Sequence, residues 1–272
     1  MNINTLAIIL AAACLSSPLS AAYKPAAAAP AQQAADVQTA ISLFARLPRE
    51  LREAYFAEKL GLLLRRDGSS GYRLAPHVHS RENGAKIECA LPHDDALFVG
   101  SDGELREFAA TVSAHTGGKE AAHAARALQV LYKAEPEVLA AFADEVTQLC
   151  TGAARNRLRT LSPRLRGALL AELAGLVRHP NAAQPVQRYE FSLYRIGRTI
   201  QRIDHFGVAL YYTDSKGNKR DFGAAVQESK QEPPAQNAWE TLLLIAQYIG
   251  ADVVLALCPE ELADMRRHAA QR

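Results

Sequence analysis

Between Leu161 and Ile203 the apolar residues recur at the spacing of a helix surface. Val186, Tyr189, Leu193, Ile196, Ile200 and Ile203 are separated by 3, 4, 3, 4 and 3 positions, the gaps that keep side chains on one helical stripe and that a coiled-coil-like seam repeats. The spacing predicts two antiparallel helices, Ser162–Arg178 and Pro185–Ile203, with a break near His179–Gln184, as the packing unit around which the chain is organised.

Composition points the same way. Hydrophobic residues make up 49% of the chain but aromatics only 7%, and much of the remainder is alanine, which favours closely packed helices over a large β-sandwich. With 272 residues a sizeable core in one or two domains is expected. The fold class is therefore mostly α: an irregular bundle of about seven to nine helices, with room for one small β-hairpin. Further helices are expected over 36–46 and 49–65, the second opened by Pro48, and over 104–115, 119–133 and 136–150. Pro136 and Gly152 frame the last of these. Near the C-terminus, 237–249 should be helical and end at Gly250, and a short helix from Pro259 carries Glu260 and Glu261 in its first turn and Arg266, Arg267 and His268 in its last.

The rest is punctuated. Glycine, proline and asparagine interrupt 66–103, which reads as a loop-rich insertion with a short hairpin. Residues 206–212 and 220–226 flank Asp214–Asn218 as a hairpin would, although continuation of the preceding helix fits nearly as well. Residues 227–236 read as a polar loop.

At the N-terminus, residues 6–15 form an apolar run too short to span a bilayer as a helix but suited to the core of a secretory signal. Residues 1–22 then read as a signal peptide, with Ser20 and Ala22 meeting a small-x-small cleavage rule. Alternatively, Ala11-Ala12-Ala13-Cys14 is a loose lipobox and Cys14 the lipidated residue. No Lys or Arg precedes Lys24, a departure from the usual basic start. Residues 23–35, rich in Ala and Pro, read as an extended linker, leaving 36–272 as the helical domain. The implied location is the periplasm or a membrane anchor facing it, or the cytoplasm if the N-terminus is not a signal.

The net charge of +2 implies no partner by itself, but ten arginines lie between Arg155 and Arg202 against Glu172 and Glu190 alone. Guanidinium forks grip carboxylate and phosphate, so Arg155, Arg157, Arg159, Arg164 and Arg166 are candidates for binding a partner. Nucleic acid or an anionic membrane is a further reading of this segment, the former only for a cytoplasmic chain. The densest set of metal-ligand types is His77, His79, Cys89 and His93, with Asp94 and Asp95 following; imidazole and thiolate suit zinc. This is the basis of an alternative reading as a metal-binding protein or metal-dependent enzyme. Glu120-x-x-His123 occurs once, where a di-iron bundle needs two. Cys14, Cys89, Cys150 and Cys258 lack CxxC spacing, and Cys150 and Cys258, bordering apolar segments, are expected as buried free thiols. Glu190, between two aromatics, is expected to bridge to an arginine. Neither a Gly-x-Ser-x-Gly elbow nor a P-loop occurs, so no catalytic residue and no cofactor is predicted.

Leu161-Ser162-Pro163, then Leu165, Leu169 and Leu176, then Tyr189-Glu190-Phe191-Ser192-Leu193-Tyr194-Arg195 resemble the TerB-like helical region on the C-terminal side of some bacterial HtpX-like membrane zinc peptidases. A second match, Leu47-Pro48-x-x-Leu51-Arg52-x-Ala54 leading to Leu62-Leu63-Leu64, is similar to the segment that follows the Ala/Pro linker there. The chain departs from the family in two places. It contains no His-Glu-x-x-His, and Ala183-Gln184-Pro185 stands where the family has Asp-Gly-Arg. The resemblance thus implies an accessory helical domain without its catalytic part, with a membrane peptidase or its remnant as protein partner.

Overall fold

The structure, a computed structural model, describes residues 30–65, 76–81, 84–89, 96–114, 137–178, 192–196, 199–203 and 210–271. It is mostly helical, with small antiparallel hairpins. In chain order the helices are α1 (Pro30–Ala45), α2 (Arg49–Lys59), α3 (Phe108–Ser113), α4 (Ala143–Thr160), α5 (Pro163–Leu173), α6 (Phe222–Gln231), α7 (Pro233–Ile249), α8 (Ala251–Leu255) and α9 (Pro259–Ala270). The strands are β1 (Leu64–Arg65), β2 (Pro76–Arg81), β3 (Gly84–Cys89), β4 (Ala96–Val99), β5 (Leu105–Glu107), β6 (Ser192–Ile196), β7 (Thr199–Ile203), β8 (Tyr211–Thr213) and β9 (Lys219–Asp221). Two compact units result, Met1–Leu63 with Arg73–Leu149, and Leu64–Tyr72 with Cys150–Arg272. The boundary at Leu149 and Cys150 falls inside α4.

The first unit is built around Phe44 of α1. Its ring meets Tyr55 and Phe56 of α2 and Phe142 edge-on, at centroid separations of 5.2–5.3 Å, the geometry that aromatic quadrupoles favour. Arg52 closes the cluster from outside, with its guanidinium 5.7 Å from the Phe142 ring and its Nε and Nη2 donating to the two oxygens of Glu145 at 2.9 and 2.8 Å. The helix α2 ends where Gly61 turns left-handed at φ 73°. Leu62 N–H donates to Ala57 O and Gly61 N–H to Glu58 O, the double closure of a Schellman motif.

In the second unit Ser162 caps α5, accepting from Leu165 N, and Pro163 occupies the first turn. Gly175, at φ 66°, ends α5 with the same double closure through Leu176 and Ala171. Asp221 caps α6 by accepting from Ala224 N. The core here runs Tyr212, Phe222, Trp239, with ring centroids 6.5 and 6.3 Å apart. Leu165, Leu169, Leu242, Ile245 and Met265 are buried in the same unit.

Several expectations are corrected. The predicted helix over 185–203 is replaced, at 192–203, by the hairpin β6–β7, in which Ser192 faces Ile203 and Ile196 faces Thr199. The β-branched residues Ile196, Thr199, Ile200 and Ile203 lose least in an extended backbone. Helix α1 begins at Pro30, inside the 23–35 stretch expected to be extended, because Ala-Gln-Gln-Ala-Ala after Pro30 favours helix. Gly152 does not end a helix: α4 passes through it to Thr160, with Gly152 buried. The region 104–115 is divided between β5 and α3, and 222–236 is nearly all helical. The helix expected over 119–133 lies outside the described residues.

The expected hairpin at Asp214–Asn218 is present as β8–β9. Asp214 accepts from the backbone N–H groups of Lys216 and Asn218, from Asn218 Nδ2, and from Arg220 Nε at 2.7 Å. Burial opposes its ionisation, but the hydrogen bonds from Arg220 and Asn218 outweigh burial and hold the carboxyl below its usual range. A depressed folded value contributes stability above the unfolded carboxylate value of about 4, lost as pH falls through the folded one. The thermal midpoint of the wild type is therefore expected to exceed that of Asp214→Asn at pH 7 and to converge on it upon acidification. A gap that widens below pH 4 would contradict this.

Candidate functional site

The basic segment straddles α4 and α5, and the fold deals its arginines to different roles. Positions two apart on a helix lie on nearly opposite faces. Arg155 and Arg159 accordingly stand exposed one turn apart, while Arg157 between them is buried at 6% exposure. Arg164 Nη1 lies 2.8 Å from Glu228 Oε2 and so ties α5 to α6. Arg166 Nε donates to Glu261 Oε2 at 2.8 Å, tying α5 to α9. Beneath this pair of ties, Tyr212 donates its hydroxyl proton to Arg164 O at 3.1 Å, and burial pushes its phenol up to about 12. The five arginines thus form no single patch. Arg155, Arg159 and Arg164 are exposed, the last of them paired with Glu228; Arg166 is partly buried in its pair with Glu261, and Arg157 is buried.

The candidate metal residues are only partly placed. His77 and His79 stand in β2 opposite Glu88 and Lys86 of β3, and Cys89 stands opposite Pro76, on the other parity of the hairpin. His93 lies outside the described residues, as do Cys14, Glu120, His123 and Glu190. Among the described residues no group of three or more His, Cys, Asp or Glu is placed to hold a metal ion, and no helix is long and apolar enough to cross a membrane.

Cys150 and Cys258 are free thiols. Burial raises Cys150 to about 12; burial, then Glu261, raises Cys258, with Arg166 opposing. Since the thiolate is the nucleophile, neither is primed to react. In a Cys14→Ala/Cys89→Ala background at pH 8, Ellman's reagent is expected to leave Cys150 untouched in the native protein and modify Cys258 slowly. Both should react at once in denaturant. Rapid native labelling of Cys150 would contradict the placement.

A polar cluster in the first unit has no counterpart among the sequence expectations. Glu53, 2% exposed, accepts at Oε1 from Arg49 Nε at 3.0 Å and from Ser101 Oγ at 2.5 Å, and at Oε2 from Arg106 Nη1 at 2.8 Å. Arg49 Nη2 reaches Ser101 Oγ and Gln148 Oε1, and Arg106 Nη2 also meets Asp102. The i,i+4 spacing of Arg49 and Glu53 is visible in sequence; the partners from the β4–β5 turn, some fifty positions away, carry no local signal. Both carboxylate oxygens are committed to fastening that turn to α2, so the arrangement is a clasp. Gly100 lies against the clasp: a Cβ there would be 2.1 Å from Arg106 Nη1, so the Arg106 side chain would have to move.

Comparison with known proteins returns no matching family profile, no matching curated protein and no matching solved structure.

Proposed function

We propose that the chain is a non-catalytic helical interaction domain, exported or membrane-tethered, that serves as accessory to a membrane zinc peptidase or to the remnant of one. The observation that carries this reading is the disposition of charge on α4. Arg155 and Arg159 are exposed on one side, one turn apart, and make no ion pair among the described residues, whereas exposed Arg164 is paired with Glu228 and partly buried Arg166 with Glu261. Two free guanidinium forks at that spacing suit acidic side chains of a protein partner. The resemblance to the TerB-like region supports the reading over Leu161–Leu176, where a proline-opened, serine-capped helix stands; the strand at 192–196 departs from the helical pattern the resemblance implies. Export rests on residues 6–15, with Cys14 as the point of attachment if the segment is a lipoprotein signal.

The chain supplied with zinc and offered casein is expected to leave it intact. Cleavage that needs zinc and is abolished by a chelator would overturn the proposal. Elemental analysis of the same preparation addresses the alternative built on His77, His79, Cys89 and His93: bound zinc that disappears in His77→Ala/His93→Ala would favour it instead.

A further inference from the structure

The two units repeat one another. Leu47, Leu51, Arg52, Glu58, Gly61 and Leu62 recur 114 positions later as Leu161, Leu165, Arg166, Glu172, Gly175 and Leu176. Ser101, Gly103, Arg106, Phe108, Ala110 and Val112 recur at the same distance as Ser215, Gly217, Arg220, Phe222, Ala224 and Val226. Their structure recurs with them. The double closures at Gly61 and Gly175 are made by equivalent residues. Gly103 and Gly217 turn left-handed at φ 87° and 81°. In the first turn Gly100 N–H donates to Glu104 O and Gly103 N–H to Gly100 O; in the second Asp214 N–H donates to Asn218 O and Gly217 N–H to Asp214 O. Phe98 meets Phe108, and Tyr212 meets Phe222, edge-on with centroids 6.5 Å apart. Arg52 Nε donates to Glu145 in the first turn of α4, and Arg166 Nε to Glu261 in the first turn of α9. Agreement in sequence, hydrogen bonding and ring geometry at a fixed spacing is the mark of an internal duplication.

The duplicated turns differ where they meet water. Asp102, Glu104 and Leu105 correspond to Lys216, Asn218 and Lys219, and all six are exposed. Arg106 and Arg220 are paired inside their own turns, with Asp102 and Asp214. The sign each turn presents is therefore set by Glu104 in the first unit and by Lys216 and Lys219 in the second. Leu105, at 53% exposure, adds an apolar tip to the acidic turn. At the basic turn a Cβ on Gly217 would lie 3.3 Å from His268 Nδ1, which places the turn against the last turn of α9 with its exposed Arg266 and Arg267. Among the described strands β5 pairs with β4 alone and β9 with β8 alone, so each keeps an outer edge. We propose that the acidic turn 100–105 of one copy of this chain docks on the basic turn 214–219 of a second copy. Charge complementarity names the occupant, because the chain carries on one scaffold both the surface and its counterpart. Unlike turns attract and like turns repel, which fixes the orientation of the contact. Neither Arg155 nor Arg159 takes part, so the contact does not rest on the partner assigned to them.

The test is sedimentation of the full chain. Wild type is expected to exceed its monomer mass as concentration rises at about 0.01 M salt, and to return to it at about 1 M, where charges are screened within about 3 Å. Two variants exchange the character of the turns. Glu104→Lys/Leu105→Lys makes the first turn basic like the second, and Lys216→Asp/Lys219→Leu makes the second acidic like the first. Each alone should associate at least about tenfold more weakly than wild type, since like charges then face one another. An equimolar mixture of the two should associate as wild type does. A wild type that stays at monomer mass in low salt, variants that associate as strongly as wild type, or a mixture that remains monomeric overturns the proposal. Three of the four substitutions import the residue type that the same backbone carries at the equivalent position or beside it, and circular dichroism checks that both variants fold. Should either fail to, Lys216→Gln/Lys219→Gln removes the charge without reversing it, and undiminished association of that variant overturns the proposal.

Discussion

Glu53→Ala is expected to destabilise the first unit by about 3 kcal/mol, the lower end of the range for removing one partner of a buried charge cluster. The lower end applies because the side chains left behind, Arg49 and Arg106, are 51% and 28% exposed and can recover some hydration. Three donors lose their acceptor together, so the β4–β5 turn loses its attachment to α2. Urea unfolding followed by circular dichroism measures the loss, and a cost below about 1 kcal/mol would mean that the clasp is an ordinary surface pair. Gly100→Ala tests the same clasp from the other side. Its methyl group would sit 2.1 Å from Arg106 Nη1 and 2.8 Å from Asp102 Oδ1, displacing Arg106 from Glu53. The effects of Gly100→Ala and Arg106→Ala should therefore be strongly non-additive.

Trp239→Ala is expected to cost about 3–5 kcal/mol in the second unit, the usual range for truncating a large core aromatic. Trp239 is 2% exposed, its ring packs against Phe222, and its Nε1–H donates to buried Glu172. Trp239→Phe separates the contributions, since it keeps most of the ring and removes the donor. It should cost about 1–3 kcal/mol, the penalty of depriving a buried polar group of its hydrogen bond. A neutral Trp239→Phe would show that the bond to Glu172 adds nothing. Because Trp239 is the chain's single tryptophan, both variants must be followed by circular dichroism rather than indole fluorescence.

What the sequence discloses is what local physics determines. The amphipathic run to Ile249, its stop at Gly250, the acidic start and basic end of α9 and the Asp214 turn are all legible, because each depends on neighbours within a few residues. Over β6 and β7 the helical stripe misleads for an instructive reason. On a strand a gap of 3 reverses the face and a gap of 4 keeps it, so gaps of 3 and 4 give no strand pattern, and the local signal for the hairpin is the β-branched character of Ile196, Thr199, Ile200 and Ile203. Gly61 and Gly175 did carry a stop signal that the hydrophobic rhythm on either side obscured, while Gly152 carried one that the helix overrode. The Glu53 clasp and the burial of Arg157 depend on which distant elements come together, and no spacing rule encodes that. Of the candidate site, the sequence locates the basic segment and the structure sorts its members, since only the fold decides which face of α4 is inside.

In the proposed function, α4 presents Arg155 and Arg159 to a protein partner and performs no chemistry on it. The most direct test is photo-crosslinking in the native host, from a photoreactive residue placed at position 159 of the full-length chain, with exposed Gln247 of α7 as the control position. A discrete adduct from position 159 is expected, weakened at least tenfold by Arg155→Glu and absent from position 247. Equal labelling from both positions, or an adduct indifferent to Arg155→Glu, would contradict the account.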